Sequence, residues 1–195
     1  MNLTPLTIET PHIRLSPLAE TDRADLRQAA GESDAIWQYW LFDVPRLGFN
    51  AWFDYLLAGQ AAGTWMPHTI RLPDGRAIGQ SCYLTIRHDS NGVEIGGTWY
   101  APSVQGTKVN PACKHALIGH AFDCGAHRVE LKTDNLNLHS RAAMEKMGAK
   151  HDGILRQHGL RPDGTYRDTV FFSVLVDEWP SVKAGLEMRL NTQAK

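Results

Sequence analysis

Thr98-Trp99-Tyr100-Ala101-Pro102-Ser103-Val104-Gln105-Gly106-Thr107-Lys108-Val109-Asn110-Pro111 is the segment from which the architecture of this chain is read. It joins a β-prone run, Val93 to Tyr100, to a helix predicted from Pro111 to about Phe122. Asn110 is a favourable N-cap, and Pro111 suits the first helical position, where its missing N–H costs nothing. A turn-rich loop ending on a helix start leaves several backbone N–H groups unpaired and concentrates about half a positive charge there, which suits phosphate oxygens. An ordinary strand-to-helix connection with a good cap is the plainer reading of the same residues. Neither G-x-x-x-x-G-K-[ST] nor G-x-G-x-x-G is present, so the loop is neither a Walker loop nor a dinucleotide fingerprint.

Working outward toward the N-terminus, Gly96-Gly97 interrupts the Val93–Tyr100 run, which predicts a bulge or a close backbone approach. Trp65 to Leu72 and Ala77 to Arg87 are β-prone runs joined by Pro73-Asp74-Gly75-Arg76, a hairpin. Aromatics crowd the region before it, and Trp52, Tyr55, Leu56 and Gly59 fall on one face of a predicted helix. Ile13-Arg14-Leu15 alternates as a short strand, and Glu20-Thr21-Asp22 offers a cap for a helix through Ala30. Toward the C-terminus, Val129 to Thr133 reads as a strand and Asn137 to Met147 as a helix stopped by Gly148. Ile154 to Gly159 and Tyr166 to Val176 form a second hairpin about Arg161-Pro162-Asp163-Gly164, and a last helix spans Pro180 to Leu190. The order is that of an α/β (α+β) mixed sheet with helices packed on it. No repeat or linker divides the chain, so residues 1–195 are expected to be one domain.

Hydrophobic residues make up 43% and charged residues 21%, a globular balance far from that of disordered chains. Lys plus Arg number 20 against 21 Asp plus Glu, which disfavours a nucleic-acid partner held by electrostatics. The first residues lack a basic n-region and a long apolar run, and no later stretch approaches membrane-spanning length, so no membrane partner is expected. Cys82, Cys113 and Cys124 form no C-x-x-C pair, and a reducing cytoplasm is the expected location. Nine histidines include no H-x-H or H-E-x-x-H, so no metal is expected. His120 shares a stripe with Cys113, Ala116 and Leu117, where a hydrogen-bonded core histidine is expected. No G-x-S-x-G elbow supports a serine hydrolase.

Glu94, between Val93 and Ile95, points to the opposite face from both. On a wet face it is an ordinary strand carboxylate; lining a cleft, it is a suitable base for taking a proton from an ammonium. Asn137, Ser140, Met144 and Met147 share one helix face. Asn137 as N-cap and Ser140 as a tolerated small residue explain them plainly; the functional alternative is that both face a cofactor lying against the sheet.

Taken together, Glu94-Ile95-Gly96-Gly97-Thr98-Trp99-Tyr100, Gln105-Gly106-Thr107, His120-Ala121-Phe122, Arg128 to Asn135, Ser140-Arg141-Ala142-Ala143, Met147-Gly148-Ala149, Arg167-Asp168-Thr169-Val170 and Asp177-Glu178-Trp179-Pro180 resemble the GNAT acyl-CoA N-acyltransferases, in their RimJ/RimL-like branch. The resemblance implies a mixed, mostly antiparallel sheet splayed between its fourth and fifth strands, with helices on both faces and acetyl-CoA in the gap. Its pyrophosphate would rest on Gln105, Gly106, Thr107, Lys108, Val109 and Asn110, and its pantetheine arm would pair with backbone at Trp99 and Tyr100. Asn137 matches the asparagine that contacts that arm, and Ser140 the serine beside the leaving sulfur. Lys108 and Asn110 stand where the family's loop commonly has small residues, and a direct charge contact from Lys108 is the expected compensation. Met144 stands where many relatives place a tyrosine acid, which leaves proton donation to Ser140 or a water. A thiol with pKa about 8.5 is a tolerable leaving group without help.

The expected reaction is direct acetyl transfer: Glu94, through a water, deprotonates the acceptor ammonium, and backbone N–H groups near the Gly-Gly bulge hold the oxyanion. A protein N-terminus, with pKa about 7.7–8.0, is an easier acceptor than a lysine at about 10.4. Trp37, Trp40 and Trp52 are expected to wall the acceptor pocket. The alternatives are transfer to a small molecule such as an amino acid, polyamine or drug, and a non-catalytic acyl-CoA sensor. By resemblance the chain is expected to form a homodimer.

Overall fold

Val129, Leu131 and Thr133 are buried while Arg128, Glu130 and Lys132 between them are only partly so, the period-two alternation of a strand with one face on a core. In a computed structural model that describes residues 1–192, this strand is one of eight. In chain order the elements are β1 (Ile8–Glu9), β2 (Arg14–Pro17), α1 (Arg23–Ala30), α2 (Val44–Leu47), α3 (Phe49–Ala61), β3 (Met66–Arg71), β4 (Ala77–Arg87), β5 (Gly92–Tyr100), α4 (Val109–Asp123), β6 (Arg128–Asp134), α5 (Leu138–Met147), β7 (Lys150–Leu160), β8 (Tyr166–Leu175) and α6 (Trp179–Asn191).

The strands lie in the order β1-β2-β3-β4-β5-β6-β8-β7. Every neighbouring pair is antiparallel except β5 and β6, which run parallel. That parallel pairing has only three rungs, Gly92 with Arg128, Val93 with Val129 and Glu94 with Glu130. Beyond them β5 stays with β4 while β6 stays with β8, so the sheet opens into a V. This is the expected splay between the fourth and fifth strands of the sequence, renumbered because β1 adds a strand.

Helices lie on both faces, those of the second, α1 and α3, over β3 and β4 only. On one side the Tyr83 hydroxyl donates to the Leu117 carbonyl of α4 at 2.5 Å, and Val93, Ile95, Leu131, Phe172 and Val174 are fully buried. On the other, Thr69 donates at 2.7 Å to Asp22, just before α1, and Trp52 and Phe53 of α3 are buried. Burying such side chains stabilises the fold by about 1.5–3 kcal/mol each.

Three local expectations need correction. The helix α4 begins at Val109, and Asn110 is not its N-cap; Lys108 occupies that place without a side-chain cap bond. The Asn110 amide oxygen instead accepts from the Tyr100 hydroxyl at 3.0 Å, a tertiary bond that outcompetes local capping. On α3 the buried face runs through Trp52, Phe53 and Leu56, whereas Tyr55 is 49% exposed and stacks on Phe42. His120 does find a hydrogen-bond partner, the Thr4 carbonyl at 2.8 Å, but it is only partly buried; the fully buried histidine is His68.

Candidate active site

Where the β5–β6 ladder stops, the chain also bulges. Gln80 pairs with Trp99 and Cys82 with Gly96, so Ser81 alone faces both Gly97 and Thr98. Gly97 takes φ +52°, a left-handed value that glycine adopts without strain. The Trp40 ring lies about 4.0 Å from where a Gly97 Cβ would sit.

Glu94 stands on the last paired rung, at the apex of the V, on the face away from α4. Its Oε2 accepts from Lys132 Nζ at 2.8 Å and from Thr85 Oγ1 at 2.9 Å. The other oxygen, Oε1, lies over Gly96, where a Cβ would meet it at 2.9 Å. The side chain is thus oriented through one oxygen, with the other facing the bulge. Lys132 also lies 4.8 Å from the Phe171 ring centre and 3.7 Å from Glu130. Glu130 is held by Arg87 at 2.8 Å and Arg128 at 3.0 Å. Burial opposes its charge, but the two arginines outweigh burial and hold its carboxyl below the usual range.

The loop before α4 presents backbone rather than side-chain donors. Gly106 has φ +75°, and the amides of Gly106, Thr107, Lys108 and Asn110 donate to no acceptor among the described residues. Gln105 Nε2 donates to the Tyr100 carbonyl at 3.0 Å, and Thr107 Oγ1 to Val104 at 2.6 Å, which fix the loop. Val109 and Trp99 are buried, and burial pushes the Tyr100 phenol well above its ordinary value. Lys108 has a partner within the chain. Its Nζ donates to the Leu190 carbonyl at 2.6 Å, in the last turn of α6, where a cation offsets the helix dipole.

Across the V, Asn137 Oδ1 accepts from Ser140 N at 3.0 Å, so Asn137 is the N-cap of α5. The Ser140 hydroxyl is partly buried and has no partner among the described residues, and Met144 packs on the core. On the opposite face a cavity of about 230 Å³ lies between the segment after α1 and the β7–β8 turn. Trp37, Trp40, Asp34 and Arg161 are among its walls. Trp52 is not: it is 1% exposed, packed edge-on against Trp37 and Trp40 at 5.2 and 5.7 Å. The structure therefore brings Trp37 and Trp40 to a cavity and leaves Trp52 as their support.

Two charged contacts here were not legible as site features. Arg161, read as a turn residue, grips the fully buried carboxylate of Asp134 with Nε at 2.8 Å and Nη2 at 3.0 Å. Burial opposes the charge of Asp134, but this grip and the Leu136 amide hold its carboxyl below the usual range. Lys132, read as a strand residue, orients Glu94. The sequence offered only that Lys132 shares a strand face with Glu130, two places away, and nothing that pointed to Glu94.

The description "Acetyltransferase (GNAT) domain" matches residues 12–150. The chain belongs to the GNAT acetyltransferase family. Over 113 residues, 57% of this chain, it is 31% identical to a putative ribosomal N-acetyltransferase, YdaF, of Bacillus subtilis (strain 168), and the match spans 61% of that relative's length. The crystal structure of a putative acetyltransferase from T. thermophilus is 29% identical, with a TM-score of 0.86 over 97% of this chain and 100% of the other. Mycobacterium smegmatis RimJ, solved in complex with CoA-disulfide, shares the fold at 23% identity, with a TM-score of 0.78 over 95% of this chain and 93% of that one.

The cofactor of the GNAT fold fits the residues present. Four unpaired amides at a helix start suit a pyrophosphate, and a V whose β5 edge is unpaired beyond Glu94 offers main-chain partners to an amide-bearing arm. Among the described residues no cluster of three or more His, Cys, Asp or Glu is placed to hold a metal ion, and no helix is long and apolar enough to cross a membrane.

Proposed function

We propose that this GNAT domain transfers an acetyl group from acetyl-CoA to a primary amine by direct attack, the amine being a protein N-terminus or an amino-acid-like amine. The carrying observation is the V that opens at Glu94, with one free carboxylate oxygen over Gly96 and a bulge beside it. Acetyl-CoA supplies an acetyl group on sulfur, which leaves as a thiolate when the amine nitrogen bonds to the carbonyl carbon. The loop amides from Gly106 to Asn110 bind the pyrophosphate. Glu94 Oε1, through a water, takes the proton released by the acceptor ammonium, while Lys132 and Thr85 hold the carboxylate in place. The bulge leaves a backbone N–H outside the β4 ladder, a donor for developing negative charge. Trp37 and Trp40 would wall the acceptor side, and the Ser140 hydroxyl, without a partner among the described residues, would be available to the leaving sulfur. The pKa of an N-terminal amine, about 7.7–8.0, asks less of this base than a lysine at about 10.4. The relative described as a ribosomal N-acetyltransferase supports a protein acceptor.

Thiol release from acetyl-CoA, followed with N-terminal peptides, amino acids and polyamines, tests this reading. Wild type is expected to turn over at least one class, and Glu94→Gln to lose at least about 100-fold in kcat with unchanged CoA affinity. Equal turnover by both proteins removes Glu94 from its role. Tight CoA binding without turnover of any amine favours the sensor.

A further inference from the structure

The uncovered face of the sheet beyond β5 carries a row of charges, and not all of them pair. Lys132 pairs with Glu94 at 2.8 Å, and Arg161 with Asp134 at 2.8 Å. Arg167, on β8, is left over. Its side chain makes no hydrogen bond or ion pair among the described residues, and its Nε is closed off from solvent without an acceptor. Along β8, Val170, Phe172 and Val174 point into the core under α4 and α6, so Arg167, Thr169 and Phe171 point the other way. That is the side of Glu94 and Lys132, since Phe171 lies against the Lys132 ammonium. Asp134 from one arm of the V and Glu94 from its apex both act on the Arg167 charge, Arg161 opposes it, and burial acts against it most of all. Lys132 and Glu94, and Arg161 and Asp134, thus pair with each other, and Arg167 is left as a partly buried guanidinium whose Nε is closed off from solvent without an acceptor. A partly buried cation without a hydrogen-bonded partner is unfavourable until something pairs with it.

We propose that Arg167 is the anchor for a carboxylate carried by the acceptor within a few atoms of its amine. This rests on the acetyltransferase reading and narrows it: the preferred acceptor is an α-amino acid or a peptide with an acidic residue at its first or second position. A carboxylate placed on the guanidinium fork sets the neighbouring nitrogen on the side of the sheet where Glu94 Oε1 waits. Polyamines, which bring only positive charge, are disfavoured by the same arrangement.

Matched probes test it: L-phenylalanine against L-phenylalaninamide, and Ser-Glu-Ala-amide against Ser-Gln-Ala-amide. Each pair is assayed with wild type, Arg167→Gln and Arg167→Lys, and binding of the N-acetylated products is measured by calorimetry without turnover. In at least one pair wild type is expected to prefer the carboxylate by about 10- to 100-fold in kcat/KM, chiefly through KM. R167Q is expected to lose that preference, read as the ratio of the two rates within each pair, with CoA affinity kept, and R167K to restore part of it. If R167Q melts more than a few degrees lower, R167K and the product affinities of wild type carry the test. Absence of preference in wild type for both pairs, or a preference that survives in R167Q, overturns the proposal while leaving acetyl transfer intact. Carboxylate-selective binding with no turnover of any amine upholds Arg167 and overturns the enzyme.

Discussion

Glu94 and Gly96 constrain each other. A methyl group on residue 96 would sit 2.9 Å from Glu94 Oε1 and 3.0 Å from Leu84 Cδ1, two side-chain ends that yield more easily than backbone. Gly96→Ala is therefore expected to cost no more than about 1–2 kcal/mol of stability. The carboxylate oxygen must move, however, and a misplacement of about 1 Å in a reacting group costs on the order of 100-fold. Activity far more impaired than the melting temperature, in one preparation, is the expected signature; parallel losses would mean that Glu94 is not aimed from this position. The Gly96-Gly97 pair was legible as a bulge because two adjacent glycines in a strand have few other uses. The Lys132–Glu94 contact was not, because the strands meeting there are separated by the whole of α4.

The parallel ladder between β5 and β6 is three rungs long, while β5 stays paired with β4 and β6 with β8 along their other edges. The amides of β5 that point toward β6 beyond Glu94 are then free in the absence of CoA. Hydrogen exchange at those amides is expected to be fast, and to slow at least about tenfold with saturating CoA, whereas amides shared with β4 are already protected. Unchanged exchange would place the cofactor elsewhere. The far arm of the V is secured differently. Arg161 clamps Asp134 at the end of β6 and also donates to the Tyr166 carbonyl at 2.7 Å, tying β6 to the β7–β8 turn. Asp134→Ala leaves that guanidinium without its acid and is expected to cost about 3 kcal/mol, measured by denaturant unfolding, with Asp134→Asn costing less. Element order and the hairpins were readable from period and turn chemistry, since Asp-Gly turns and alternating burial are local. The Arg161 clamp depends on how two distant elements meet, and periodicity carries no information about that.

For the whole molecule the exposed charges matter less than one buried ring. His68 is completely buried in β3, its Nε2 accepts from the Leu6 amide at 3.0 Å, and it therefore ties the N-terminal segment to the sheet as a neutral imidazole. Burial, with a smaller contribution from nearby His120, pulls its pKa from 6.5 down to about 4. The unfolded chain binds a proton at this histidine at a higher pH than the folded chain, so protonation favours unfolding throughout that window. Stability contributed by the neutral ring is complete above about pH 6.5 and is lost progressively as pH falls toward 4, to a total of about 3 kcal/mol. Thermal melts between pH 7.5 and 4.5 are expected to show that decline, and His68→Gln, whose side-chain oxygen keeps an acceptor for Leu6 without titrating, is expected to flatten most of it. An equal slope in both proteins would remove His68 as the titrating group; the carboxylates of Asp134 and Glu130 lose their contribution as pH falls from the ordinary carboxylate range to their lowered values, mostly below this window.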